Sequence, residues 1–266
     1  MSRGGRMFII GERINGMYKD VRKAIESKDK EVIQNLAKLQ VEAGAQALDV
    51  NVGPASSQPA EAIKWLIEVI QEEVDVPLAL DSTKPEVIKE GLKLVKNKAI
   101  INSTSADKER LDILIPLAKE YKASLIALTM DKKGIPRDSS QRCELAAQIV
   151  TTFLEAGLSI EDLYLDPIIL PVNVAQPQAK EVLSSLREFK LLYSPPPKTI
   201  IGLSNVSQGT KNRSLINRTF LVMACACGLD SAILDPLDKE LKSVLITAEL
   251  LLNKIIYCDS YLDACK

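Results

Sequence analysis

The stretch "VPLALDSTKPEVIKEGLKLVKNKAIINST", residues 76–104, decides the fold. It opens and closes on short apolar runs, "VPLALDS" and "KAIINST", each ending in small polar residues. Between them "KPEVIKEGL" reads as a helix, with Pro85 in its first turn and Ser82 or Thr83 as its cap. Apolar runs of this length, without polar alternation, are expected of parallel strands buried on both faces. The stretch is therefore one strand–helix–strand unit.

The same unit recurs in both directions. Strand-like runs fall at 7–12, 45–51, 76–82, 98–104, 123–130, 162–167, 198–204 and 230–236. Helical spacings lie between them. Ile63, Leu66, Ile67 and Ile70 form one stripe, and Leu111, Leu114, Ile115 and Ala118 another. Leu145, Ala146, Ile149, Val150 and Phe153 form a third, and Leu245, Ala248, Leu252 and Ile255 a fourth. Gly44, Gly157 and Gly228 stand where helices should stop, and Asp107 where one should start. Eight strand–helix repeats predict a single-domain (β/α)8 TIM barrel over residues 7–266, behind a loose tail at 1–6. A doubly wound open sheet is the rival, because strand count does not prove closure. "YSPPPK", residues 193–198, stiffens the entry to the seventh strand.

Composition narrows the function. The 266 residues carry a net charge of -1, so no basic nucleic-acid footprint shows globally. No run approaches the ~20 apolar residues of a membrane span, and the start lacks a signal-peptide core. Five cysteines without a secretion signal point to free thiols in a reducing compartment, hence the cytoplasm. Cys225 and Cys227 sit in a helical stretch, where residues two apart face different sides; packing is expected of them, not metal binding. Histidine is absent. Imidazole acid–base catalysis and histidine-ligated metals are excluded on this chain.

A parallel barrel works at the C-terminal ends of its strands. Those ends carry Glu12, Asn15, Asp49, Asn51, Asp81, Ser82, Asn102, Ser103, Asp166, Ser204, Asn205 and Asp235. Any single Asp or Asn there is as readily a helix cap or a turn residue. So many on one rim suit a heterocycle rich in N–H donors, since carboxylates accept and amides do both. Phosphate-loop glycine spacings are missing; "GERING" does not match them.

"IIGERING", "ALDVNVGPA", "LALDST", "INST", "LYLDPIILP" and "GLSNVSQ" followed by "RSLINRTFL" together carry a resemblance. The chain resembles the methyltetrahydrofolate:corrinoid/iron-sulfur protein methyltransferases of the pterin-binding barrel superfamily. It departs from the pterin synthases of that superfamily, showing "ILDPLDKE" at the eighth strand where they carry a Ser-x-Arg-x-His. The resemblance implies that Asp81, Asn102 and Asp166 hold the pterin edge and that Asn205 is catalytic, meeting N5 of the folate. Gly202 and Ser204 would line the same wall, with Gln208 and Arg213 towards the p-aminobenzoyl-glutamate end. It further implies methyltetrahydrofolate as methyl donor and a corrinoid carried by a partner, the corrinoid iron-sulfur protein, in the reductive acetyl-CoA pathway. A homodimer is implied too. Another corrinoid acceptor, a non-catalytic folate-binding barrel and a pterin synthase remain the alternatives.

Overall fold

The computed structural model describes residues 6–258. Residues 1–5 of the expected tail at 1–6, and Cys265, fall outside that range. Eight parallel strands close in chain order: β1 (Phe8–Asn15), β2 (Ala47–Asn51), β3 (Leu78–Asp81), β4 (Ile100–Ser105), β5 (Ser124–Leu128), β6 (Leu163–Asp166), β7 (Lys198–Gly202) and β8 (Ser231–Leu234). β8 pairs back onto β1, with Phe8 beside Ser231 and Gly11 beside Leu234. Closure rules out the doubly wound alternative.

Helices cover the outside: α1 (Lys19–Ser27), α2 (Lys30–Glu42), α3 (Pro59–Glu73), α4 (Pro85–Leu92), α5 (Lys108–Glu120), α6 (Ser139–Glu155), α7 (Val172–Ala175), α8 (Gln178–Phe189), α9 (Arg213–Ala226) and α10 (Lys239–Leu251). Two large apolar clusters lie between helices and sheet; Ile63, Leu66, Ile67 and Ile70 of α3 and Phe153 of α6 belong to one of them. Gly44, Gly157 and Gly228 follow α2, α6 and α9 with positive φ, where a side chain would be strained.

Local details depart from expectation. Helix α4 is capped by Lys84 with no side-chain bond; Ser82 Oγ instead accepts from the Lys84 N–H at 3.1 Å. Asp107 does precede α5, but its carboxylate accepts from Ser105 Oγ at 2.8 Å and not from the helix. Asp29, Asp138 and Asp238 cap α2, α6 and α10. Ile255 lies beyond the end of α10. Cys225 and Cys227 are buried in the apolar cluster under α9. No helix among the described residues is long and apolar enough to cross a membrane.

Inside the barrel a separate small cluster holds Ile10, Ala47, Ala79, Ile100, Ile126, Tyr164 and Ile200, with Phe8 and Ile233 packed against it. Successive strand residues face opposite sides, so the next inward position lies two residues on. Those positions are Glu12, Asp49, Asp81, Asn102, Leu128, Asp166, Gly202 and Asp235. One step above an apolar plug, seven strands out of eight turn from apolar to polar or to glycine.

Candidate active site at the barrel mouth

Strand β1 needs a special shape to reach the mouth. Its register against β2 slips: Gly11 pairs with Leu48 but Ile14 with Val50, so Glu12 and Arg13 together face Asp49. Such a bulge re-aims side chains beside functional sites. Buried Gln40 of α2 patches it, accepting the Arg13 N–H at 2.9 Å. A Cβ on Gly11 would stand 2.5 Å from that Gln40 oxygen, and one on Gly16 only 2.0 Å from the Val52 carbonyl oxygen. The glycines of "GERING" thus serve close backbone approach.

On one side of the mouth, four strand ends lie side by side: Asn15 beside Asn51, Asn51 beside Asp81, and Asp81 beside Asn102. Amides and carboxylates alternate in bonding. Asn51 Nδ2 donates to Asp81 Oδ2 at 2.5 Å, and Asn102 Nδ2 to Asp49 Oδ1 at 2.9 Å. Burial raises the Asp81 pKa. Asp49 is pushed well above the ordinary carboxylate range, first by burial and then by the charge of Asp81, with Asn102 pulling the other way. A cleft of about 530 Å³ opens here, bounded by Asn51, Asp81, Ser82 and Lys84.

Asp166 stands on β6. It accepts from the Ile168 N–H at 2.7 Å, and burial lifts its pKa to about 7 against that bond and against Arg142. Arg142 of α6 is fully buried behind it, donating to the Pro167 carbonyl at 2.7 Å and to Gln178 Oε1 at 2.5 Å. Nothing in the spacing of α6 flags this arginine as a support for a strand end.

The end of β7 runs into a 3-10 turn, Leu203–Ser207, before α9 begins. Leu203 and Val206 are buried and anchor it. Asn205 is exposed at its crest, and its Nδ2 lies 3.2 Å from where a Cβ on Gly202 would be. What Gly202 admits is therefore the Asn205 amide itself. Ser204 Oγ donates to Glu12 Oε1 at 2.6 Å, and the Ser204 carbonyl accepts from Arg213 Nη2 at 3.2 Å. Gln208 is exposed beyond the turn, its N–H donating to the Asn205 carbonyl at 3.1 Å. A second cleft, of about 260 Å³, lies here between Glu12, Arg13, Ser204, Arg213 and Asp235. Burial raises the Glu12 pKa; the Ser204 bond opposes it and nearby Asp235 adds to it.

The expected residues thus fall into two groups around one mouth: Asp81 with Asn102 on one side, and Gly202, Ser204, Asn205 and Arg213 on the other. Asp166 stands alone between them, and Gln208 is set outward. Glu12, Asp49 and Asn51 belong to the strand-end pattern but not to the residues the resemblance assigns to the site; each is a hydrogen-bonding partner of one of those residues. The inward parity of each strand, counted from its apolar residue, was the signal for them. Among the described residues no three His, Cys, Asp or Glu side chains converge as a metal ion requires.

Fold and site together define a (β/α)8 barrel whose mouth is a ring of hydrogen-bond acceptors over an apolar floor. The chain belongs to the pterin binding enzyme family, whose profile matches residues 12–235. The resemblance carried by the strand-end motifs holds at that level. The chain is 32% identical over 260 residues to the methylcorrinoid:tetrahydrofolate methyltransferase of Eubacterium limosum, covering 97% of this chain and 96% of that one. It is 28% identical over 240 residues to the methionine synthase of Mycobacterium tuberculosis, which takes in 85% of this chain and 20% of that longer protein. Among solved structures, a Yersinia pestis dihydropteroate synthase with a sulfonamide superposes with a TM-score of 0.70 at 16% identity, over 94% of this chain and 95% of that one. A Coxiella burnetii dihydropteroate synthase with pteroic acid gives 0.67 at 17%, over 94% and 95%. At such identities the two structures speak for the fold alone.

Proposed function

We propose that this protein transfers a methyl group between N5 of tetrahydrofolate and the cobalt of a corrinoid carried by a partner protein. The observation that carries the reading is the pairing of an acceptor-lined mouth with an exposed amide, Asn205, held over the glycine that ends β7. The name of the relative that aligns end to end supports the reaction class.

Asp81, Asn102 and Asp166 accept and donate along the N–H-rich edge of the pterin. An ionised carboxylate accepts from a ring N–H and an amino group together. Asn205 faces N5. The methyl group leaves a tertiary amine, so N5 must carry positive charge as the bond breaks. The Asn205 side chain donates to a neutral N5 and turns its oxygen to a protonated one. A contact that is stronger in the charged state speeds transfer. The corrinoid supplies the metal that takes or gives the methyl group; this chain orients the other reactant beneath it.

The motif reading put methyltetrahydrofolate as donor to a corrinoid iron-sulfur protein. The E. limosum relative is named for the opposite direction. One site serves both, because the same charged N5 lies on the path either way. The donor role, the iron-sulfur nature of the partner, the acetyl-CoA pathway, the homodimer and a cytoplasmic location all belong to this proposal.

The test mixes the purified protein with methyltetrahydrofolate and a Co(I) corrinoid protein, then runs the reverse with methylated corrinoid and tetrahydrofolate. Exchange of the Co(I) and methyl-Co(III) absorbances is expected, with Asn205→Ala slowing it by about 10²- to 10³-fold. Tight folate binding with no spectral change in either direction would leave a binding protein instead.

A further inference from the structure

Asn205 is useful only if its turn is held still, and the structure shows what holds it. Three restraints converge on Leu203–Ser207. Its inner face is pinned by Leu203 and Val206, both buried. Its far side is gripped by Arg213, which donates to the Ser204 carbonyl and, through Nε, to Ser207 Oγ at 3.2 Å. The third restraint comes from 192 residues away in the chain: Glu12 Oε1 accepts the Ser204 hydroxyl at 2.6 Å. Tyr18 donates to the same Glu12 oxygen at 3.4 Å, with Arg13 stacked 4.2 Å from the centre of its ring. Glu12 itself is aimed by the β1 bulge that Gln40 patches.

We infer that Glu12 is a positioning residue: through Ser204 it fixes the turn that presents Asn205 at the mouth. The Ser204 hydroxyl is thereby committed to the protein frame, so Ser204 serves the site by holding and not by touching substrate. A hydroxyl donating to a carboxylate makes a short, strong bond, and strength is what an exposed turn at a strand end requires. The inference rests on the reading of Asn205 as the residue that meets N5.

The experiment has two independent readouts. In the first, amide hydrogen exchange is followed in the wild-type, Glu12→Gln and Glu12→Ala proteins. Residues 203–208 should exchange faster in Glu12→Ala while the rest of the barrel stays protected, and Glu12→Gln, which keeps an acceptor oxygen, should restore most of the protection. In the second, methyl transfer at saturating folate should fall about ten- to a hundredfold in Glu12→Ala, the range of a lost hydrogen bond to a charged group. Folate affinity should stay within about threefold, and the loss should vanish when Glu12→Ala is added to Asn205→Ala, because residues acting as a unit are not additive. Unchanged exchange at 203–208, or a full further loss in the double variant, would overturn the inference. A wild-type protein with no methyl transfer would overturn the proposed function instead, and the exchange result would still decide what Glu12 does.

Discussion

Asp166 offers a test that needs no substrate. Its carboxyl is buried on β6, receives one hydrogen bond from the Ile168 N–H, and has its pKa lifted to about 7 from an ordinary 3.8. A carboxyl whose pKa is raised by folding binds its proton more tightly in the folded chain than in the unfolded one. Stability therefore falls as pH climbs from about 4 towards about 7, and the whole penalty stands above that window. A shift of this size corresponds to about 4 kcal/mol of destabilisation at pH 8. Replacing Asp166 by asparagine keeps the oxygen that accepts from Ile168 and removes the ionisation. The variant should match the wild type near pH 4 and exceed it increasingly towards pH 8. For a chain of this size that gap is worth about 8 °C or more in melting temperature. Urea denaturation of both proteins at half-unit intervals of pH measures it. A gap that does not change with pH, or a variant less stable at pH 8, would refute the claim that burial of Asp166 stores this cost. On the proposed reading the same variant binds folate more weakly. Destabilising charge kept at a mouth is what a ligand-binding role would demand.

Gly202→Ala should slow methyl transfer by about tenfold with little change in folate affinity, since the new Cβ presses on the Asn205 amide at 3.2 Å and misplaces it; single-turnover rates at saturating folate check this. Gly16→Ala should cost about 3 kcal/mol or more, because its Cβ lands on the Val52 carbonyl oxygen and the backbone must move; the urea midpoint reports it. Asn102→Asp should set a new carboxylate against Asp49 in place of a donor. Like charges raise each other's pKa, so the loss, about 3 kcal/mol, should appear at pH 8 and fade below pH 5, as denaturation at the two pH values will show.

Strand positions were legible because each is a short apolar run bounded by turn residues; every observed strand overlaps its expected segment, with β1 running three residues and β4 one residue past the ends of their own. Closure was not, since it depends on Phe8 meeting Ser231 across the length of the chain. The polar rim could be read as a set, but its internal pairing could not. Asn102 bonds to Asp49 and Ser204 to Glu12 through contacts between strands, which local pattern does not encode. Capping at α4 went astray because Ser82 turns to the Lys84 N–H before the helix starts. Gly202 was expected to line the substrate wall; only three-dimensional geometry reveals that the Asn205 amide lies against it.

The charges of the mouth also bear on which state of the substrate it prefers. Asp49 and Asp81 both have pKa values raised by burial, and repulsion from Asp81 and Glu12 adds to that of Asp49. The chain relieves this partly with neutral donors: Asn51 gives one hydrogen bond to Asp81 and Asn102 one to Asp49. Neutral donors stabilise an anion without cancelling its field. Such a field favours a cation at its centre over a neutral amine. On the proposed reading that cation is N5 as it carries charge during transfer, and the field acts on it whichever way the methyl group moves. A chain without histidine has no imidazolium to bring there. On the same reading, carboxylates beside N5 favour holding a proton that arrives from solvent, and the Asn205 amide turns its oxygen to meet it.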